Sequence, residues 1–483
     1  MSSDVSDQPV RNHAVDWQSA PVVLRGHQSW KWYRRFSQNP LKCVAEAHDR
    51  FGFPFALGSP VPFSRGGRIH VLAAGAEVNR QVLSQPDLFH SHSPIMRGHR
   101  DSAHRRLRPG IFTMNGEEHR CHRRIMQQPF AKSTVASYTA TMAGLIDQFI
   151  DRWSVGKSID MYDEMIELTN WVASNILYGN KDFATSVKIS RLVGSWLQLE
   201  NKASRKILRL KLPGTAYKAL LQQAEILETE MLALIKNNRE EGNNGNDVLS
   251  LMVRAADTPN SGMSNADLTA HLVILYAAGY LTTANVVAWA IFLIAQFPSI
   301  AAELDEELKT QLADWPPDRE KLESLPVLNG VVHEALRLLP PVPHAARIAT
   351  QPVDVAGIPL KRRDKVLISA YFTHRDPEVF PNPDQFDPSR WRTIKPGPYE
   401  FIPFSGGSRL CLGYSFALLE MKLIVARIMQ RYRIGVVPHS HIDLVWEQTL
   451  KPKTGIPMVA YSRDEAFATS PVTGDIVNMI AGL

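Results

Sequence analysis

The residues best suited to chemistry form one run, Phe404-Ser-Gly-Gly407-Ser-Arg409-Leu-Cys411-Leu-Gly413. A cysteine stands there between glycines, just ahead of a helical pattern. Glycine lets the backbone bend tightly and approach closely. Amide N–H groups in such a turn, and at the start of the helix after it, can hydrogen-bond a thiolate and keep it ionised. Arg409 can pair with an anion beside the same site. A free cysteine is usually buried and inert. Yet five fixed positions of these types arise by chance in fewer than about one such chain in a thousand.

Three further runs carry spaced polar pairs. Gly116-Glu-Glu-His119-Arg-Cys-His-Arg123-Arg124 sets His119 and Arg123 at i, i+4. Glu334-Ala-Leu-Arg337 sets an ion pair at i, i+3, so both side chains share one helix face. Either pair, alone, also suits a solvated helix. Ala278-Gly279-Tyr280-Leu281-Thr282-Thr283 lies midway along an uncharged stretch. Gly279 removes a side chain where the helix must pass close to something. Thr282 can bond back to a carbonyl one turn earlier and bend the helix.

The elements that must hold these runs are mainly helical. The chain has 483 residues, 44% hydrophobic and 21% charged. Those are globular values, which exclude disordered, collagen-like and coiled-coil chains. The net charge of +6 is mild. Three cysteines build no disulfide framework, which suits a reducing compartment. Apolar spacing predicts helices over 76–83, 117–130, 136–153, 161–178, 184–201, 215–238, 247–256, 300–314, 326–339 and 414–433. Ser264, with Asp267 three residues on, opens a long central helix as a capping box would. Leu268 to Ala302 carries no charge and could span a bilayer by length. His271, Thr282, Thr283, Asn285 and Gln296 interrupt it, so it reads as a buried helix. Short strands are expected at 55–62 and 68–73 and near Val353, Val366, Ile442 and Met458.

Together these runs resemble the cytochrome P-450 superfamily of haem-thiolate monooxygenases, over about residues 40 to 463. The resemblance implies a mainly α fold with small β sheets, one large domain with haem between the central helix and the cysteine loop. Residues 1–39 would be an N-terminal extension, 40–463 the haem domain, and 464–483 a C-terminal tail, expected to be poorly ordered. It implies haem b as cofactor and Cys411 as its metal ligand. Phe404 and Gly413 belong to the cysteine signature. His119, Arg123, Arg347 and Arg409 would hold the haem propionates. Glu334, Arg337 and Arg390, the last from Phe386-Asp-Pro-Ser-Arg390-Trp391, would form a structural triad. Ala278, Gly279, Thr282 and Thr283 would form an oxygen-binding groove, with Thr282 helping to deliver protons. The reaction implied is insertion of one oxygen atom from dioxygen into a small organic substrate.

Position 281 departs from the family, which usually has Asp or Glu there. Leu281 cannot carry a proton. Protons could come through waters and Thr282, or from a group on the substrate. A peroxide-dependent enzyme or a haem-thiolate isomerase is the third reading. A non-catalytic haem-binding sensor is the rival outside enzymes, and the retained Thr282 and full cysteine signature speak against it.

No flavin or nicotinamide glycine fingerprint is present, so electrons are expected from a ferredoxin or flavodoxin with its reductase. Basic residues near the cysteine loop, with Arg120 and Arg124, could steer that partner; ordinary solvated charge is the other account. Arg97 to Arg124 holds eight arginines and four histidines. It carries no nucleic-acid motif and no zinc-ligand spacing. With Lys202, Arg205, Lys206, Arg209 and Lys211 it raises an acidic substrate, against plain surface charge. Pocket walls are expected near Ile95 and Ile111, Ala277 and Ala278, Val342 to Ala346, and Ile456 to Met458. The polar N-terminus shows no membrane anchor or signal peptide. A cytoplasmic monomer in specialised-metabolite biosynthesis is expected on family habit.

Overall fold

Ser264 starts the helix around which the chain is built. Its Oγ accepts from the Asp267 amide at 3.2 Å, while Asp267 Oδ2 accepts from the Ser264 amide at 3.0 Å. This is the reciprocal capping box that the sequence predicts. The helix runs Asn265–Gln296. Leu272, Val286, Trp289 and Phe292 along it are buried in protein. It is long and apolar enough to cross a membrane, but 72% of its most apolar window lies inside the fold. The uncharged run is therefore a core requirement.

The computed structural model describes residues 22–38, 40–58, 69–92, 98–108, 110–179, 183–204, 212–259, 261–447 and 449–483. Met161–Tyr178 packs along the central helix. The Asp160 carboxylate begins it by accepting from the Tyr162 amide at 2.9 Å, and Gly179 ends it at φ +64. Phe183–Ser204 packs on Ala216–Glu240. Pro326–Leu338 and Tyr414–Arg431 pack on the central helix and on each other. Most helices fall within a few residues of expectation. The one expected over 117–130 is Gly116–Met126 followed by a 3₁₀ turn, Gln128–Phe130, because Pro129 cannot donate an amide. The one expected over 136–153 is two, Lys132–Ser137 and Thr139–Ile150.

Six strands form the larger sheet, in the spatial order Val22–Leu24, Phe55–Gly58, Ile69–Ala73, Lys365–Ser369, His344–Ala349, Phe89–Ser91. Residues 59–62 of the strand expected over 55–62 lie outside the described residues. The strand expected near Ile442 forms two residues further on, at Leu444–Trp446, with Ile442 itself just outside it. The Ile442 amide donates to Thr473 O at 2.8 Å, and Leu444–Trp446 makes a hairpin with Leu450–Pro452.

Both ends of the chain correct the expected boundaries. Val22–Leu24 pairs in parallel with Phe55–Leu57, so the sheet begins well before residue 40. The expected loose tail over 464–483 is packed. Ile476 and Ile480 are buried, Arg375 Nη2 donates to Met479 O at 3.3 Å, and Ala481 bridges Gln385. Apolar residues near the terminus complete the core beside the Pro-rich segment.

Candidate active site

The cysteine loop is held from within and from behind. The Cys411 amide donates to Phe404 O at 2.9 Å. Gly407 sits at φ +60, and a Cβ there would collide with the Leu83 carbonyl oxygen. Only glycine meets both conditions. Phe404 packs edge-on against Tyr414, with ring centroids 4.9 Å apart. The Cys411 side chain is open to a space rather than sealed in the core. Surrounding protein pushes its thiol up, while the Gly413 amide and the Arg123 guanidinium pull it down. These last two favour the thiolate, the form that binds metal. The other thiols differ: Cys43 is buried and pushed up to about 12, and Cys121 is exposed beside Glu117.

Positive groups gather around this loop. Arg123 donates to Leu410 O at 2.7 Å. Arg409 donates to Ile111 O at 3.1 Å and to Asn115 Oδ1 at 2.7 Å. Arg347 donates to Ala346 O at 3.0 Å and Ser405 Oγ at 3.3 Å. Among the described residues none of the three reaches a carboxylate. Burial, then Arg347 and Arg123, hold Arg409 down to about 10. Burial, then Arg409, Arg123 and Arg120, hold His119 down to about 4. Positive groups drawn together out of water without a counter-charge are costly. The arrangement fits a ligand that brings carboxylates of its own, next to a thiol that can take a metal. Haem b answers both requirements.

The central helix supplies a third element. Past its exposed first turn the central helix is enclosed by protein, except that Leu275, Ala278, Gly279 and Thr282, with Ala277 and Leu281 beside them, keep partial exposure. The three- and four-residue spacing of the first four puts them on one face, flanked by Ala277 and Leu281. A Cβ at Gly279 would meet nothing within 4 Å. The strip therefore borders an internal opening. Thr282 Oγ1 donates to Ala278 O at 2.7 Å, and Thr283 Oγ1 to Gly279 O at 3.0 Å. Both hydroxyls are thus anchored one turn back, as the sequence suggests for Thr282. Leu281 packs against the apolar core.

The expected triad is assembled and buried. Glu334 takes a two-pronged pair from Arg337, at 2.7 and 2.8 Å, with both side chains 0% exposed. Arg390 Nε lies 3.3 Å from the same carboxylate, close enough to pair charge but without hydrogen-bond alignment. Trp391 Nε1 and the Asp387 amide, which sequence reasoning missed, also donate to it at 3.0 Å each. Gly330 lets the helix approach, since a Cβ there would strike Pro388 O.

The expected pocket walls are only partly brought together. Ile111 is buried against the central helix, where a Cβ at Gly110 would crowd Ile274. Ala346 is half-buried and Val342 is 41% exposed. Ile456 is a correction. It is 0% exposed, its amide donates to Asp160 Oδ1 at 3.1 Å, and it belongs to the core rather than to an opening. Met458 is likewise sealed. Ile95, and Arg205, Lys206, Arg209 and Lys211 of the second basic cluster, lie outside the described residues. The first basic stretch is partly neutralised from within, Arg106 by Glu228 at 2.6 Å and Arg120 by Glu117 at 2.8 Å.

Two buried groups were missed. His271, on the central helix, accepts from the Ile111 amide at 3.2 Å through Nδ1, and its Nε2 lies 2.8 Å from His122 Nδ1. Nδ1 of His271 therefore carries no proton. Glu420, on the helix after Cys411, is 1% exposed, and neither carboxyl oxygen has an aligned hydrogen-bond partner among the described residues. Its signal was a lone acid within the apolar run Phe416-Ala-Leu-Leu-Glu420-Met.

A thiol loop, carboxylate-seeking cations and a threonine-bearing central helix define a haem-thiolate protein. The family model described as Cytochrome P450 matches residues 7–458, and the chain belongs to that family. Cyclooctat-9-en-7-ol 5-monooxygenase of Streptomyces melanosporofaciens is 30% identical over 441 residues, covering 90% of this chain and 92% of the relative. Cyclooctatin synthase of the same organism is 30% identical over 401 residues, covering 80% and 85%. The structure of a retinoic acid bound cyanobacterial CYP120A1 superposes with a TM-score of 0.78 at 24% identity, covering 92% of this chain and all of that one. This protein is accordingly a cytochrome P450 monooxygenase whose cofactor is haem b.

Proposed function

We propose that Cys411 is the axial ligand and that the enzyme oxygenates a small, largely apolar substrate in specialised metabolism. The observation that carries the ligand assignment is the gathering of His119, Arg123, Arg347 and Arg409 around the cysteine loop, with no carboxylate among the described residues to pair the three arginines. Those four groups would hold the haem propionates. Haem with a thiolate ligand supplies oxygen activation that protein side chains cannot.

The remaining tasks belong to this chain. Burial raises the Cys411 thiol, and the Gly413 amide and Arg123 pull against it toward the thiolate. Gly279 leaves room on the opening, and Ala277, Ala278 and Leu281 make that side apolar. Thr282 holds a hydroxyl at its edge, anchored to Ala278 O. The two Streptomyces relatives are named for a cyclic alkenol and for cyclooctatin. Those names support a hydrocarbon-rich cyclic substrate here. A ferredoxin or flavodoxin with its reductase would supply electrons to a cytoplasmic monomer. Exposed Arg124, Leu410 and Tyr414, beside the cysteine loop, give that donor a mixed basic and apolar face.

The deciding experiment is the absorption spectrum of the reduced protein under carbon monoxide. A strongly red-shifted Soret band is expected. A haem spectrum without the shift would overturn the thiolate assignment. Leu281 favours one second reading, a peroxide-dependent enzyme or isomerase. Turnover that needs no electron donor would establish it. Equal binding of a long-chain carboxylic acid and its methyl ester, read by displacement of the Soret band, would remove the acidic-substrate idea.

A further inference from the structure

We propose that a cavity beside the first turns of Tyr414–Arg431, walled by Lys132–Ser137, Arg319–Glu323 and Pro326–Leu338, binds a small oxyanion of the phosphate type, with the Lys422 ammonium as its recessed anchor. Three observations carry this. The first is the space. The cavity measures about 250 Å³. That is smaller than the pockets that take drug-sized ligands, and ample for one anion with waters. The second is an unanswered charge. Lys422 lines the cavity and is 6% exposed, yet among the described residues its ammonium makes no hydrogen bond and no ion pair. Lysine is almost never buried this far without a partner, because leaving water is costly for a charge. The third is the company. Lys132, Arg319, His333 and Ser415 line the same cavity.

The charges there do not cancel. Arg319 Nε is held by Glu323 Oε1 at 2.7 Å, so that pair is neutral as a unit. Arg319 Nη1 also donates to Lys132 O at 3.4 Å, which ties Lys132 to the rim. Lys132 and Lys422 are then left in excess, with Glu323 already engaged. His333 Nδ1 lies 2.7 Å from Asn329 O, a carbonyl that only accepts, so Nδ1 carries a proton. Burial holds His333 below its ordinary value, with the Lys422 charge acting in the same sense. Burial likewise holds the Lys422 ammonium down to about 8, with Glu323 pulling it up and Arg319 down. It therefore stays largely protonated at pH 7, and an anion beside it would restore what burial removes. Ser415, in the first turn of Tyr414–Arg431, adds a hydroxyl donor at a helix end that favours negative charge. An anion in the cavity would bridge the helix after the cysteine loop to the helix that carries Glu334 and Arg337.

The test uses the holoenzyme with inorganic phosphate as the probe, at pH 7 in a zwitterionic buffer, with sodium chloride matched for ionic strength as control. Calorimetric titration is expected to show saturable binding, and phosphate should raise the melting temperature where chloride does not. Lys422→Met keeps the length and apolar stem of the side chain. It should weaken phosphate binding at least about 10-fold, the share of one charge-assisted bond. Without phosphate it should melt no lower than wild type, since an unpaired buried charge has been replaced by an apolar group. A purely structural lysine gives the opposite pair of results, a lower melting temperature and an undiminished phosphate response, and that would overturn the proposal. Glu323→Gln acts at the half-exposed rim and removes the anion that competes for Arg319. It should tighten phosphate about 3-fold or more by releasing that guanidinium. This second variant carries the test if Lys422→Met fails to fold. Wild type that shows no binding beyond the chloride control, or phosphate affinity that drops in Glu323→Gln, would overturn the site. No arm needs substrate, donor or turnover, so each outcome stands apart from the monooxygenase reading.

Discussion

Arg409 donates from Nη1 to the carbonyl oxygen of Ile111 at 3.1 Å, across a sequence separation of 298 residues. The same guanidinium reaches Met114 O at 2.5 Å and Asn115 Oδ1 at 2.7 Å. Asn115 in turn accepts from the Ser91 amide at 2.8 Å. One residue of the cysteine loop thus fixes the segment leading into Gly116–Met126, the helix that carries His119 and Arg123. Backbone carbonyls thus hold the arginines of the cation cluster in place.

Arg409→Lys is expected to keep the charge but lose the fork. Each charge-assisted bond is worth about 1.5–3 kcal/mol, and lysine cannot span three acceptors. Haem content per protein should fall while secondary structure survives, and amides of 110–116 should exchange faster. Full haem occupancy with unchanged exchange would show that the carbonyls do not need the fork. Absorbance ratio and hydrogen exchange read the two effects separately.

Glu334→Gln leaves Arg337 and Arg390 buried without their counter-charge. Removing one partner of such a pair costs about 3–5 kcal/mol, a large share of a typical domain's stability. Soluble expression should collapse or the unfolding midpoint drop steeply. Arg390→Lys should cost less, because Arg390 holds Glu334 less directly and its remaining bonds go to carbonyls at Pro381 and Gln385. Equal losses in the two variants would contradict that ranking.

How much of this was legible in the sequence depended on the length scale of each signal. The Ser264 box, the central helix and the Glu334–Arg337 pair are local, so spacing exposed them. Arg390 was reached through resemblance, because nothing local links residues 53 or more apart. The packed C-terminus was missed since its apolar residues, Ile476-Val477 and Met479-Ile480, fall in a run too short to establish a period and form only a 3₁₀ turn. Ile456 was misjudged because its burial is set by Asp160, nearly three hundred residues away. Glu420 and the His122–His271 pair were missed for a related reason. A buried polar group reads like a surface one until its neighbours are known.

Two buried histidines give the protein an acid limit. His271 Nδ1 accepts from the Ile111 amide, and His374 Nε2 accepts from the Ile402 amide at 2.9 Å. Burial holds each down to about 3, from 6.5. The unfolded chain therefore binds these protons first. Stability is fully present above pH 6.5 and declines as pH falls toward 3, by about 1.4 kcal/mol per unit for each histidine. Glu420 acts in the opposite sense, losing stability as pH rises from 4.5 toward 8. Urea unfolding from pH 7 to 4 should show the net decline, and His374→Gln, whose amide oxygen can still accept from Ile402, should flatten it by one proton. Parallel pH curves for the two proteins would rule His374 out.

Gly279 separates stability from function more cleanly than any other position. It lies mid-helix, where alanine is favoured by about 1 kcal/mol, and a Cβ would meet nothing within 4 Å. Gly279→Ala should therefore leave the melting temperature unchanged or raise it by a few degrees. The new methyl would stand in the opening bordered by Ala278 and Thr282, so ligand access should suffer. Carbon monoxide association with the reduced haem should slow, while the red-shifted band persists because the cysteine loop is untouched. Gly279→Val would enlarge the obstruction and add the helix penalty of a β-branched residue. A destabilised Gly279→Ala would show that the helix, rather than the opening, requires glycine there. A stable variant with unaltered carbon monoxide kinetics would place the opening elsewhere.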